Sequence, residues 1–338
     1  MARVGVAGTT SWGTTLAILG ARAGQEVNLW ARTEDEAERL RADGENRKFL
    51  PGVPLPDGIT VTSSADDAFG DVEAALIVVP SRTLRANAKA IGEHIASSAV
   101  VVSATKGLEL GTGKRMSEIL AEELPEQLVG SICSLSGPNL APEICQGKPS
   151  STVVASPNHA AAELVQSLIS SSGFRVYTNA DIIGVELGGT LKNIIAVGAG
   201  VCDALDLGDN TKAAFMTRGL AEVARLGVAA GAEAITFAGL AVVGDLIASC
   251  SSPFSRNHQV GERLANGETL DQIRASMTHV AEGVDTTVAA AGLADALGVD
   301  MPITKATYEV LFNGVGIQDA ITTLLGRVPA PEWAGVWP

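Results

Sequence analysis

The sequence contains few aromatic residues and few cysteines. Aromatic side chains make up 4% of its 338 residues, whereas glycine occurs 37 times, and this composition favours closely packed α/β and helical layers over a β-sandwich. The cysteines lack the paired spacing of a metal site. We therefore predict no metal site, and we expect reduced packing residues at Cys133, Cys145, Cys202 and Cys250.

Positive charge is also scarce. The chain has 24 Lys and Arg against 38 Asp and Glu, a net charge of −14, and no basic run. Such a field repels polyanions, which excludes nucleic acid and anionic membrane surfaces as partners. A small phosphorylated substrate remains suitable wherever a few cations converge in a pocket.

Long hydrophobic runs are missing as well. No apolar run approaches the length of a membrane span, and strand-like sequence follows Met1 so closely that no signal peptide is expected. We therefore expect a cytoplasmic protein without membrane insertion.

What the sequence does contain is enough apolar residues, 46%, for two cores of ordinary domain size. Short Val, Ile, Leu and Ala runs alternate with helical stretches up to about Thr178, the pattern of βαβ units. After Asn179 the apolar residues recur three and four apart, which is helical periodicity. The fold class is therefore α/β, with an N-terminal Rossmann-type mostly parallel sheet (residues 1–179) and a C-terminal all-helical domain (residues 180–338). The predicted strands are residues 4–7, 26–30, 59–62, 74–79, 100–104, 132–135, 152–155 and 174–177.

The tail from Val328 is unlike either domain, because it is rich in proline and tryptophan. Docking on a neighbouring surface and disorder are both open for it.

A glycine-containing turn separates the first strand from its helix. It reads Gly8-Thr9-Thr10-Ser11-Trp12-Gly13, where a dinucleotide-binding turn needs glycine for the tight bend and for helix packing. Thr10 replaces the usual second glycine. The helix start offers backbone N–H groups to a phosphate. We predict a nicotinamide dinucleotide here; the alternative is an ordinary βα turn without a ligand.

Arg32 follows the second strand, where an acid usually binds the adenine ribose. A guanidinium at this place suits a 2′-phosphate, or stacks on adenine, so NADP is favoured over NAD. The alternatives are a solvated charge at Arg32 and a ribose contact from Glu34 or Asp35.

Two lysines stand in unusual surroundings. Lys106 comes directly after a buried-looking strand, at the sheet edge where open α/β folds bind ligands. Lys192 lies in a predicted helix with Gly188 and Gly189 on its face, which leaves space for a ligand beside the ammonium. A close helix crossing explains the two glycines equally well.

The run Ser255-Arg256-Asn257 stands at a predicted helix start, with Gly244-Asp245 before it. Hydroxyl, guanidinium, amide and free helix N–H groups together fit a phosphate monoester. A capped helix with an exposed arginine is the alternative.

Together these segments resemble the NAD(P)-dependent glycerol-3-phosphate dehydrogenase family, from Val4 to about Arg327. No single motif is specific, but their order and spacing are. The motifs are Ser11-Trp12-Gly13-Thr14, Phe49-Leu50-Pro51, Ala104-Thr105-Lys106-Gly107-Leu108-Glu109, Ser136-Gly137-Pro138, Gly184-Val185-Glu186-Leu187-Gly188-Gly189, Leu191-Lys192-Asn193, Gly244-Asp245-Leu246, Ser255-Arg256-Asn257, Glu282-Gly283, Met301-Pro302-Ile303 and Leu324-Leu325-Gly326-Arg327.

The resemblance implies a homodimer that interconverts sn-glycerol 3-phosphate and dihydroxyacetone phosphate for glycerophospholipid synthesis, with substrate held between the two domains. It implies Lys192 as the proton acceptor. The implied substrate contacts are Lys106, Gly137, Asn139, Lys192, Asp245, Ser255, Arg256 and Asn257. The implied cofactor contacts are Gly8, Ser11, Trp12, Gly13, Arg32, Lys106, Ala141, Arg256, Val280 and Glu282. The family pattern usually has threonine or a similar residue where Asn139 stands.

Hydride transfer leaves a proton to be moved at the substrate oxygen. A lysine with its ordinary pKa of roughly 10.4 is a poor base near neutrality, but burial and a second cation both lower it. We expect Lys106 to supply that cation and Asp245 to orient Lys192. Two other functions stay open, a related hydroxyacid dehydrogenase and a non-catalytic NADPH sensor.

Overall fold

The computed structural model describes residues 1–277, 281–329 and 331–332. The N-terminal part forms one eight-stranded sheet in the order β3-β2-β1-β4-β5-β6-β7-β8, in which only the β6–β7 pair is antiparallel. This confirms the predicted fold class, and each strand overlaps its predicted range. The strands are β1 (Arg3–Ala7), β2 (Glu26–Trp30), β3 (Ile59–Thr62), β4 (Ala74–Ile77), β5 (Val100–Ser103), β6 (Ile132–Ser136), β7 (Ser150–Ala155) and β8 (Phe174–Asn179).

Helices cover both faces of this sheet. The central strands β4 and β5 are buried at every position, as their non-alternating apolar runs predict. Apolar side chains from the two strand faces enter separate cores, one containing Val6 and Leu76 and the other Ala7 and Ile77. The surrounding helices are α1 (Ser11–Arg22), α2 (Glu34–Asp43), α3 (Ala65–Phe69), α4 (Leu84–Ile91), α5 (Met116–Glu123), α6 (Glu126–Val129), α7 (Ala141–Cys145) and α8 (His159–Ile169).

The chain divides into two compact units. The sheet unit comprises Met1–Thr105 and Met116–Ile182, and the helical unit comprises Lys106–Arg115 and the chain from Ile183 onward. The segment Lys106–Arg115 thus packs with the helices although it lies within the predicted sheet domain. The remaining helices are α9 (Ile182–Ala204), α10 (Asp209–Ala229), α11 (Asp245–Ser251), α12 (Arg256–Ala265), α13 (Leu270–Ser276), α14 (Glu282–Leu297), α15 (Pro302–Phe312) and α16 (Ile317–Leu325).

Helix α9 corrects one expectation from the sequence. It is 23 residues long and apolar enough to cross a membrane by length and composition alone, although no run of that kind was expected. Of its most apolar 18-residue window, 83% is buried inside the protein, which is typical of a core helix. The most polar side chain in its middle, Lys192, is buried with it.

Glycines let α9 and α12 approach each other closely. A Cβ atom at Gly261 would lie 1.8 Å from the carbonyl oxygen of Val197, and one at Gly200 would lie 2.0 Å from that of His258. Because these neighbours are backbone atoms, neither side can yield without moving a helix. The crossing therefore fixes the position of the α12 start relative to the middle of α9.

The first prediction concerns this crossing. Gly261→Ala should lower the free energy of unfolding by about 1–3 kcal/mol, because the added methyl group overpacks two backbones. Gly292→Ala in α14 is the matched control, since a Cβ there meets nothing within 4 Å. The control should instead raise stability by up to about 1 kcal/mol, because alanine is the better helix former. Urea denaturation of both variants measures the difference; equal stabilities would contradict the close crossing.

Candidate functional site

The turn after β1 lies at the point where the strand order of the sheet reverses. Strand β1 is flanked by β2 and β4, so chain connections leave in opposite directions on its two sides. Gly8 has a φ of +115°, and a Cβ atom there would lie 2.5 Å from the carbonyl oxygen of Val78. A Cβ atom at Gly13 would lie 2.0 Å from the carbonyl oxygen of Gly8. Both glycines are thus required by the bend and by the helix packing.

Thr10 has a structural role at the place of the missing glycine. It is the N-cap of α1, and its hydroxyl accepts a hydrogen bond from the Gly13 N–H at 3.0 Å. The same hydroxyl donates to the carbonyl oxygen of Val78 at 3.1 Å. The departure from the usual pattern therefore leaves the turn intact and adds a cap. Ser11 and Trp12, the first residues of α1, are both half-buried.

Asn46 supports the turn and was missed by the sequence reasoning. Its side-chain amide is buried and donates to the carbonyl oxygen of Thr9 at 2.7 Å and to the Thr14 hydroxyl at 2.8 Å. Its own oxygen accepts from the Phe49 N–H at 3.2 Å, which joins the turn to the Phe49-Leu50-Pro51 motif. An asparagine three residues before that motif was the available signal.

The charged residues after β2 have different surroundings. Arg32 is exposed directly after the strand, as is Asp35 at the start of α2. Both oxygens of the Glu34 carboxylate are already in use, one by Arg41 and the other by the Ser63 hydroxyl. Glu34 is therefore the weaker candidate for a ribose contact, whereas Arg32 is exposed.

The remaining predicted residues of the sheet unit follow β6. A Cβ atom at Gly137 would lie 2.9 Å from the Cα atom of Thr152, so this glycine is needed for strand packing. Asn139 donates to the Thr152 hydroxyl at 2.9 Å, and its Oδ1 atom is buried without a hydrogen bond from the described residues. Ala141 is the first residue of α7.

In the helical unit, two lysines share one buried aspartate. Lys106 Nζ donates to Asp245 Oδ2 at 2.5 Å, and Lys192 Nζ donates to Asp245 Oδ1 at 3.0 Å. Lys192 and Asp245 are 5% and 3% exposed, so both charges depend on protein partners instead of water. We call Lys106, Lys192, Asp245 and Ser249 the lysine–aspartate cluster.

Ser249 completes the cluster, and the sequence reasoning did not single it out. Its hydroxyl accepts a hydrogen bond from Lys192 and lies 3.3 Å from Asp245 Oδ1, to which it donates. The signal was its spacing, because residues four apart on α11 lie on one helix face.

Burial is the main cause of the altered protonation of Lys192. It lowers the pKa of Lys192 to about 8; the Asp245 carboxylate opposes this shift, and the Lys106 ammonium adds to it. The pKa of Asp245 is lowered, because the attraction of the two ammonium groups outweighs the effect of burial. Lys192 can therefore gain and lose a proton near neutral pH, while Asp245 stays ionised.

Lys106 reaches the cluster because its segment is tied to α9. The Gly107 N–H donates to the Thr190 hydroxyl at 3.0 Å, and Arg115 forms an ion pair with the buried Glu186 at 2.8 Å. Gly188 on the same helix packs against Val242, since a Cβ atom there would lie 2.1 Å from the valine side chain. Close packing therefore accounts for Gly188, whichever ligand binds beside Lys192.

The Ser255-Arg256-Asn257 run begins α12 as predicted. Ser255 is its N-cap and accepts from the His258 N–H at 3.3 Å. Asn257 donates to Asn193, next to Lys192, at 2.8 Å and accepts from the Gly283 N–H at 2.9 Å. Arg256, the first residue of α12, is exposed as a whole residue, but burial of its charged end lowers its pKa. Glu282, the first residue of α14, opposes this shift. Val280 lies outside the described residues.

The chain combines a glycine-dependent turn at the switch point of a mostly parallel sheet with a buried lysine of lowered pKa. This combination is typical of the nicotinamide-dependent dehydrogenases. Residues 3–162 match the family described as NAD-dependent glycerol-3-phosphate dehydrogenase N-terminus, and residues 181–322 match the corresponding C-terminus. The chain belongs to this family of glycerol-3-phosphate dehydrogenases.

Individual relatives agree with the family match. A glycerol-3-phosphate dehydrogenase [NAD(P)+] of Dehalococcoides mccartyi is 47% identical over 336 residues, which cover 99% of this chain and 94% of that protein. One of Corynebacterium glutamicum is 48% identical over 98% of this chain and 100% of its own. The crystal structure of glycerol-3-phosphate dehydrogenase from Coxiella burnetii superposes with a TM-score of 0.90 at 33% identity, over 96% of this chain and 99% of that one.

The second prediction tests the cap at Thr10. Thr10→Ala should lower the free energy of unfolding by about 1 kcal/mol, because the Gly13 N–H loses its side-chain acceptor. Thr10→Ser is the matched control, since it keeps the hydroxyl and should stay close to the parent. Urea denaturation measures both. A serine variant as unstable as the alanine variant would assign the effect to the methyl group instead of the hydrogen bonds.

Proposed function

We propose that this chain catalyses the reversible, NAD(P)+-dependent oxidation of sn-glycerol 3-phosphate to dihydroxyacetone phosphate. The observation that carries the proposal is the buried Lys192, which has a pKa near 8 and hydrogen bonds to Asp245 and Ser249. Family membership over nearly the whole chain supports the same reaction. The relatives are named for both NAD and NADP, which agrees with a nicotinamide cofactor of either kind.

The sheet unit fits a dinucleotide. Side chains at Gly8 and Gly13 would fill the turn, and the α1 N-terminus offers N–H groups to a pyrophosphate. When bound, the nicotinamide ring accepts or supplies the hydride. The residues proposed to hold the cofactor are Gly8, Ser11, Trp12, Gly13, Arg32, Lys106, Ala141, Arg256, Val280 and Glu282.

Lys192 is proposed to move the proton. In the oxidation, its neutral amine takes the proton from the C2 hydroxyl; in the reduction, its ammonium returns a proton to the C2 oxygen. Asp245 and Ser249 hold the Nζ atom in place, and Asp245 also carries the charge that lets Lys106 lie nearby. A fixed position matters because proton transfer requires hydrogen-bond distance to the substrate oxygen.

Arg256 is proposed to bind the substrate phosphate. Arg256 is the first residue of α12, where the helix dipole also favours an anion. Ser255 and Asn257 anchor that helix start, the latter through Asn193 beside Lys192. Binding energy from the phosphate, which is distant from the reacting carbon, would then hold that carbon in position for the reaction. The other proposed substrate contacts are Lys106, Gly137, Asn139 and Asp245.

Three further proposals are less direct. A cytoplasmic location is the expectation from the sequence. A homodimeric state and a supply of glycerol 3-phosphate to glycerophospholipid synthesis rest on the family likeness alone. The net charge of −14 supports a partner set that excludes nucleic acid.

The third prediction tests the role of Lys192. Purified protein should oxidise NADPH or NADH when given dihydroxyacetone phosphate, measured at the nicotinamide absorbance, and Lys192→Ala should lower kcat by about 10²–10⁴-fold. For the oxidation, kcat/KM should rise as the pH increases through about 8, because the neutral amine is the base. For the reduction, kcat/KM should fall over the same pH range, because the ammonium is the acid.

Arg256→Ala provides the contrast, since loss of a phosphate contact should mainly raise KM. Near-normal turnover in Lys192→Ala would contradict its role. Turnover of 2-oxo acids in place of dihydroxyacetone phosphate would establish a hydroxyacid dehydrogenase, and binding of NADPH without any turnover would establish a sensor.

The fourth prediction concerns cofactor choice. Arg32→Ala should weaken NADPH binding roughly tenfold and NADH binding little, because only NADPH carries the 2′-phosphate. Arg39 is exposed like Arg32 but lies on α2, so Arg39→Ala is the matched control. It should change the affinity for neither cofactor. Titration of nicotinamide fluorescence measures both cofactors. Equal weakening of both would show that Arg32 stacks on adenine.

A further inference from the structure

Thr9 lies in the turn after β1, and its side chain contacts helix α2. Its hydroxyl donates to Glu36 Oε1 at 2.5 Å. Its carbonyl oxygen accepts from the Asn46 amide at 2.7 Å, so the residue is held on two sides. Thr9 is buried and Glu36 is half-buried. One carboxylate of α2 therefore lies directly against the turn, and the proposed reaction gives this carboxylate no role.

The two ends of this contact come from the same edge of the sheet. Strands β1 and β2 are parallel neighbours, and Ala7 pairs with Trp30 at their carboxyl ends. The Gly8 N–H then donates to the carbonyl oxygen of Trp30 at 3.4 Å. In a dinucleotide-binding sheet, this edge takes the pyrophosphate at the turn and the adenine ribose after the second strand. A side chain that starts after β2 and touches the turn therefore lies beside the place of that ribose.

Glu36 is fixed in this position and still has an acceptor to offer. Its backbone N–H donates to the hydroxyl of Thr33, the N-cap of α2, at 3.3 Å. Its second carboxylate oxygen, Oε2, receives no hydrogen bond from the residues that the structure describes. Both oxygens of Glu34, by contrast, are occupied by Arg41 and Ser63. Among the acids considered for a ribose contact, Glu36 is thus better placed than Glu34.

Arg32 brings the opposite charge to the same edge, because it follows β2 directly and is exposed. Within the described part of the chain, neither Arg32 nor Glu36 forms an ion pair that would neutralise it. A guanidinium favours the 2′-phosphate that distinguishes NADP from NAD. A carboxylate has the reverse preference, since it accepts from a ribose hydroxyl and repels a phosphate. The two side chains therefore act in opposite directions on the choice of cofactor.

We propose that Glu36, held in place by Thr9, is a residue that determines cofactor specificity. Its free carboxylate oxygen accepts a hydrogen bond from the adenine ribose of NAD, and its charge disfavours the 2′-phosphate of NADP. Arg32 opposes this effect, and the opposition leaves the chain able to bind both cofactors. The inference rests on the proposed position of the cofactor at the turn and is independent of the chemistry at Lys192.

The first test removes the charge of Glu36 and keeps an acceptor for the Thr9 hydroxyl. Glu36→Gln should tighten NADPH binding and weaken NADH binding, so that the ratio of Kd for NADPH to Kd for NADH falls roughly tenfold. Titration of nicotinamide fluorescence in the full-length protein measures both constants. Glu38→Gln, exposed on the same helix, is the matched control and should leave the ratio unchanged. An unchanged ratio in Glu36→Gln would overturn the proposal.

The second test distinguishes selection by charge from support of the turn. Repulsion between Glu36 and a 2′-phosphate is screened by salt, so the change of the ratio in Glu36→Gln should become smaller at high ionic strength. Loss of structural support would instead weaken both cofactors by the same factor at every salt concentration and lower the stability to urea. That second result would assign Glu36 to the structure of the turn and contradict a role in selection.

The third test concerns the contact that holds the carboxylate. Thr9→Val removes the hydroxyl donor and keeps a branched side chain, whereas Thr9→Ser keeps the donor. We expect Thr9→Val to lower the ratio less than Glu36→Gln does, and Thr9→Ser to leave it close to that of the parent. The Thr9→Val/Glu36→Gln variant should have the ratio of Glu36→Gln alone, because the two residues act through one contact. Additive changes would contradict this coupling.

These measurements use cofactor binding without substrate, which separates the inference from the proposed reaction. Absence of turnover with dihydroxyacetone phosphate would contradict the reaction, and the binding ratios would still decide the role of Glu36. An unchanged ratio in an active Glu36→Gln enzyme would contradict the role of Glu36 alone.

Discussion

The helical unit depends on the pairing of one buried carboxylate with two ammonium groups. Two lysines that approach each other inside a protein repel, and each loses hydration that neutral surroundings do not replace. Asp245 removes both problems, because each of its oxygens accepts from a different lysine, Lys106 at 2.5 Å and Lys192 at 3.0 Å. The balance leaves the pKa of Lys192 near 8, lowered by burial and by Lys106 and held up by Asp245. A stronger pairing would fix the proton on Lys192, and a weaker one would leave the amine neutral throughout.

The sheet unit obtains its candidate binding site from backbone geometry instead of charge. Gly8 and Gly13 allow β1, the turn and α1 to approach within distances that no side chain permits. Thr10 stabilises the turn from within, because its hydroxyl accepts from the Gly13 N–H. Asn46 stabilises it from the loop before the Phe49-Leu50-Pro51 motif, because its amide donates to the Thr9 carbonyl oxygen. Free N–H groups at a helix start bind phosphate through direction and dipole, so the turn needs no cationic residue of its own.

The sequence was sufficient to predict the architecture because its signals are local. Buried parallel strands need continuous apolar runs, and each of the eight runs formed a strand of the sheet. The long helix α9 follows from apolar periodicity, although an apolar stretch of membrane-spanning length was not expected. Contacts distant in sequence were less accessible. Two such contacts produce no periodic pattern in the sequence. One is the hydrogen bond from Gly107 to Thr190, which groups Lys106 with the helices. The other is the Asn46 side chain, which supports the turn. Ser249 had such a trace, four residues after Asp245, but serine on a helix seldom indicates a site.

The strongly acidic composition does not oppose the proposed anionic ligands, because the two effects act over different distances. A net charge of −14 repels an extended polyanion, which must lie along many surface carboxylates at once. A small phosphate compound meets only nearby groups, since charges beyond about 8 Å are largely screened at physiological ionic strength. For the substrate phosphate, the proposed local donors are Arg256 and the N–H groups at the start of α12. For the cofactor pyrophosphate, they are the N–H groups at the start of α1. Acidity of the whole chain therefore selects against large anions while a few local donors select for small ones, and a compact phosphate ester satisfies both conditions.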